Sequence, residues 1–84
     1  MKEKLMYLKE KLQDAFAKTE IIVDDVNFKK KGNYYFLTVV LDKIGGIDLD
    51  TIVDATKVVN KVVDKVDIIK DSYILDVISK ERGL

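Results

Sequence analysis

The chain has no cysteine, no histidine and no proline, and only four glycines in 84 residues. Each absence excludes something. Without cysteine there is no disulfide and no thiol nucleophile, and without cysteine or histidine there is no zinc site. Without histidine no side chain titrates near neutrality to serve as a general base or a metal ligand. Ser72 and Ser79 are the only serines, and neither lies in a G-x-S-x-G elbow. Neither of the glycine-rich phosphate-binding patterns, G-x-x-x-x-G-K-[ST] and G-x-G-x-x-G, occurs. No constellation supports an enzyme, and no cofactor is implied.

Long apolar runs are missing too. The longest, Tyr34 to Leu41, is eight residues and contains Thr38. A membrane-spanning helix needs about 20 apolar residues. Met1-Lys2-Glu3-Lys4 leads into an amphipathic pattern, not an unbroken apolar segment, so no signal peptide is evident. The expectation is a soluble, cytoplasmic protein, and the lack of cysteine is compatible with a reducing compartment. Net charge is zero, from 15 basic and 15 acidic residues. That weighs against a dedicated nucleic-acid binder, whose affinity comes mostly from clustered Lys and Arg.

What is present, 48% hydrophobic and 36% charged residues in a chain too short for a second core, leads to the expectation of a single globular domain over residues 1–84. Residues 3 to 18 read as a helix, because Leu5, Leu8, Leu12, Ala15 and Phe16 form one apolar stripe. Glu3 and Lys18 suit the two ends of its dipole. Residues 21 to 29 read as a strand with Val26 and Phe28 on one face. Asp24 breaks the alternation, so either the strand begins near Asp25 or a bulge shifts the register. Lys30-Lys31-Gly32-Asn33 supplies a turn. Tyr34 to Asp42, rich in aromatic and β-branched residues, is the second strand of an antiparallel hairpin.

Gly45-Gly46 makes the next turn, and Asp48 is a good N-cap for a helix from about Leu49 to Val66. Val58-Val59, Val62-Val63 and Val66 recur every four residues, which is a helical spacing. Asp50 and Asp54 sit early; Lys57, Lys61 and Lys65 sit late, as the dipole favours. So much Val, Ile and Thr costs side-chain freedom in a helix, so this one depends on packing. Asp67 to Ser72 is a loop, and Tyr73 to Ser79 a third strand. The order α-β-β-α-β predicts an α+β fold, a two-layer sandwich with two helices on one face of a three-stranded mixed sheet. The pattern does not say which strand is central.

Three groups of residues bear on function. Asp24, Asp25, Asp48 and Asp50 could hold a divalent cation, but helix capping and a strand start explain them better, and no EF-hand spacing is present. Lys29, Lys30 and Lys31 at the hairpin tip, with Lys43 at the far end of the second strand, are candidates for phosphate contact. A solvated turn is the simpler reading of these lysines, and core packing the simpler reading of Tyr35 beside them. The third group is an apolar row. Alternation turns Tyr34, Phe36, Thr38 and Val40 to the face away from the helices, with Ile74 and Ile78 from the third strand. An open sheet face should be mostly polar. Phe36, Val40, Ile74 and Ile78 therefore mark an expected interface, the alternative being that a terminal segment or a slightly different register covers them.

An ordered set of motifs carries a family likeness. Asp25-Val26-x-Phe28 and the Lys/Gly turn lead into Leu37-x-Val39-x-Leu41-Asp42-Lys43-x-Gly45-Gly46-Ile47-x-Leu49-Asp50. Thr56-Lys57 and Tyr73-x-Leu75-Asp76-Val77-x-Ser79 follow. Together they resemble the N-terminal domain of the bacterial ribosome maturation factor RimP. That family often has Ser-Arg where this chain has Thr56-Lys57, and a Glu where it has Asp76. The first helix fits in position more than in sequence.

The resemblance implies an α-β-β-α-β fold similar in layout to bacterial-type KH domains. It implies a cytoplasmic, non-enzymatic factor that binds the small ribosomal subunit during assembly, with ribosomal protein S12 as partner. The family usually continues past the last strand with Ser-Pro-Gly, a Leu-Asp-Arg-Pro-Leu stretch and an SH3-like barrel. Here Ser79 is followed by Lys80-Glu81-Arg82-Gly83-Leu84. The expectation is a divergent member without that barrel. The alternative function is a stand-alone interaction module, homodimeric through the open sheet face, with no ribosomal role.

Overall fold

Aromatic and β-branched residues concentrate in Tyr34–Asp42, and that segment becomes the middle strand. The computed structural model describes residues 1–80. Residues 81–84, part of the stretch that departs from the family pattern, lie outside the described residues. The elements are α1 (Lys2–Ala15), β1 (Ile22–Lys31), β2 (Tyr34–Asp42), α2 (Leu49–Val66) and β3 (Ile74–Ser79). The sheet order is β1-β2-β3, with β1 antiparallel and β3 parallel to β2. The mixed sheet follows from the connections: a two-residue hairpin reverses the chain, and the α2 crossover restores its direction.

The hairpin closes tightly. Lys31 pairs with Tyr34, leaving only Gly32 and Asn33 in the loop. Gly32 has φ 62°, and Asn33 is not among the residues with positive φ. Glycine at the first central position is the pattern of a type II′ turn, whose twist matches that of the strands it joins. β1 therefore runs to Lys31, two residues beyond the sequence expectation, because the pairing continues to the turn.

One face of the sheet carries the core. Leu37, Val39 and Leu41 of β2 are fully buried, and Val23 and Val26 of β1 lie beside them. Leu8, Leu12 and Phe16 come down from α1; Ala55, Val59 and Val63 come down from α2. α1 packs over β1 and α2 over β3, with the helices also touching each other. Phe28 extends this face toward the hairpin. Its ring stacks on Tyr35 at 5.1 Å and meets the edge of Tyr73 at 6.4 Å.

Local chemistry sets the joints. α1 ends at Ala15, three residues before the expected end, because Phe16 is the last apolar anchor. The Thr19 hydroxyl then donates to the Phe16 carbonyl at 2.7 Å and accepts from Ile21 N–H at 3.1 Å. Gln13 ties the helix to β1: its Oε1 accepts from Val23 N–H at 2.9 Å. At the start of α2, Asp48 Oδ1 accepts from Thr51 N–H at 2.8 Å, as an N-cap should. At its end Asp67 takes the left-handed conformation, φ 47°, and donates its N–H to Val63 O. Tyr73 precedes β3 instead of opening it.

Candidate interaction surface

The side of the sheet away from the helices has no layer over it among the described residues. The pairing register lays out its side chains in rows across the strands. Lys31 faces Tyr34; Lys29 stands beside Phe36 and Ile74; Asn27 beside Thr38 and Asp76; Asp25 beside Val40 and Ile78. The four apolar residues expected on this face, Phe36, Val40, Ile74 and Ile78, form two rows separated by the polar row through Thr38. Ile74 is 45% and Ile78 41% exposed, and Tyr34 reaches 63%. Phe36 and Val40 on the central strand are half-buried by their neighbours.

The irregularity at Asp24 is a bulge between Val23 and Asp25. It restores Val23 and Val26 to the core while leaving Asp24 and Asp25 outward. Asp24 Oδ1 meets Lys80 Nζ at 3.1 Å, and Asp25 Oδ2 accepts from Asn27 Nδ2 at 3.3 Å. The open face is therefore polarised along its strands. Lys29 and Lys31 stand at the hairpin end; at the opposite end Asp25 stands beside Asp24, whose charge is already met by Lys80.

The lysines expected to act together are divided. Lys29 and Lys31 are exposed on the open face. Lys30 turns to the helix side, with its ammonium 5.7 Å from the Tyr35 ring centroid. Lys43 lies past the far end of β2, about 30 Å from the tip at the usual rise per residue. It pairs loosely with Glu20 at 3.9 Å. The structure thus brings two of the four lysines beside the apolar rows.

A second exposed apolar feature lies outside the sequence expectations. Ile44 is 84% and Leu49 76% exposed, on either side of Gly45 and Gly46. These glycines have φ 87° and 90°. The one available signal was an apolar residue flanking a glycine pair, where alternation gives no frame. Among the described residues no group of three or more acidic side chains could hold a metal ion. Nor is any helix there long and apolar enough to cross a membrane.

The protein-family comparison decides what this arrangement belongs to. The model of the RimP N-terminal domain matches residues 11–80, which runs from mid-α1 past the end of β3. The chain belongs to the RimP N-terminal domain family. The matched stretch spans the open face, the hairpin and the Gly45-Gly46 turn of this RimP domain. Its family is that of a ribosome maturation factor, and the observed α-β-β-α-β order is the one the resemblance implied.

Proposed function

We propose that this RimP domain is a non-enzymatic, cytoplasmic assembly factor domain that binds the small ribosomal subunit during maturation, with ribosomal protein S12 as its protein contact. The observation that carries the reading is the family match over residues 11–80. The open face supports it, because Phe36, Val40, Ile74 and Ile78 offer apolar contact area that no layer covers among the described residues. Lys29 and Lys31 at its rim add steering toward an acidic surface, and their contribution weakens with salt. They suit weak RNA contact at the edge of a protein interface more than an RNA-binding groove.

Co-sedimentation with purified small subunits across a salt series tests this. Saturable binding that survives moderate salt supports the proposal. A folded chain that fails to bind at low salt refutes it for this domain.

A further inference from the structure

The open face is complementary to itself, and we infer that it pairs two copies of this chain face to face, with their strands antiparallel. The Lys29 row and the Asp25 row are four residues apart along β2, about 13 Å, with the Thr38 row midway. A twofold axis across the strands, above the Thr38 row, carries each row onto the other. It sets Lys29 of one copy over Asp25 of the second, twice, while Lys31 falls over the Ile22–Asp42 row and Asp24 keeps its own pair with Lys80. The same operation lays the Phe36–Ile74 row over the Val40–Ile78 row, so apolar meets apolar. The interface is isologous and closes at two copies. A twofold axis along the strands would instead stack rows of the same kind, leaving the charged ends unmatched.

The size of the face sets the strength. Three strands at about 4.8 Å spacing and the rows from Tyr34 to Val40 give a patch roughly 15 Å by 25 Å. That is smaller than the about 800 Å² per partner of a standard interface, so the dimer is a reversible one, and it opens before the same face meets the small subunit. The axis also predicts a weakness. Asp76 lies in the axial row, so the two copies bring their Asp76 carboxylates together on the β3 edges.

The test is sedimentation equilibrium of the full chain, from dilute to millimolar, with circular dichroism to confirm folding of each variant. The wild type shows a concentration-dependent monomer–dimer equilibrium. Lys29→Glu and Asp25→Lys each weaken it about tenfold, since two exposed contacts change from attraction to repulsion. Mixing these two variants restores pairing, and so does combining both changes in one chain. Asp76→Asn tightens it. A wild type that stays monomeric at millimolar concentration overturns the inference. So does a dimer that ignores the Lys29 and Asp25 exchanges, because its copies then meet by another surface or register.

Discussion

Val39 and Val40 are neighbours on the central strand, and replacing each by alanine separates the two faces of the sheet. Both changes remove the same atoms from the same strand, with the same loss of strand propensity. Only the surroundings differ. Val39 is fully buried against the helices, whereas Val40 is half-buried on the open face. Val39→Ala loses two methylene equivalents at about 0.8 kcal/mol each. The cavity left behind raises the cost to about 2–3 kcal/mol. A domain of this size has about 4–12 kcal/mol of stability in total. At about 4–8 °C per kcal/mol, the melting temperature falls by about 10–20 °C. Val40→Ala leaves no enclosed cavity and costs about 1 kcal/mol or less. Thermal unfolding followed by circular dichroism at low micromolar protein measures both. Equal losses, or a larger loss at Val40, would mean that the register is slipped by one residue and the assignment of the open face is wrong.

Other perturbations probe the joints and the interface. Gln13→Ala removes the side chain that accepts from Val23 N–H. It should cost about 1 kcal/mol in urea unfolding, because the donor is only partly sealed from water. Asp67→Gly relieves a left-handed aspartate at the end of α2 and should raise the melting temperature. Two groups give opposite pH signatures. Burial, then the Asp64 and Asp67 carboxylates, hold the Tyr73 phenol above its ordinary value of 10.0. Its contribution is present below pH 10 and is lost as pH rises through the raised value, so Tyr73→Phe should flatten the alkaline loss of stability. Hydrogen bonds from Thr51, and then the charge of Lys43, hold Asp48 below its ordinary value of 3.8. That contribution is present above 3.8 and lost as pH falls through the lowered value, so Asp48→Ala should weaken the acid dependence of stability. Phe36→Asp with Ile78→Asp should abolish binding to small subunits while keeping the folded circular dichroism signal; an unfolded variant would place these residues in the core.

Where the local pattern was strong, the sequence foretold the structure. The Leu49–Val66 helix has the expected bounds, because a capping aspartate, a four-residue valine repeat and a terminal loop agree with one another. The broken alternation at Asp24 was visible as a choice between a late strand start and a bulge. Long-range pairing with β2 decided for the bulge. The ends of α1 and β1 were less legible. α1 stops where Phe16 enters the core and Thr19 turns the chain, and neither is a periodicity signal. β1 continues through Lys29, Lys30 and Lys31 because a type II′ turn at Gly32 keeps the strands paired. The open face was legible as an apolar row, but not the arrangement of charges along it. Seeing Asp24 and Asp25 opposite Lys29 and Lys31 required both the bulge and the strand order. The exposed Ile44 and Leu49 stood outside any repeating pattern.

On the reading proposed above, the open sheet face is the working surface and the helix side is core. Isoleucine methyl spectra of the labelled chain, recorded as unlabelled small ribosomal subunits are added, test it most directly. The Ile74 and Ile78 signals should broaden and shift at substoichiometric subunit, while those of Ile52 and Ile69 hold their positions. Perturbation confined to Ile44, or to the helix-side methyls with Ile74 and Ile78 unmoved, would contradict it.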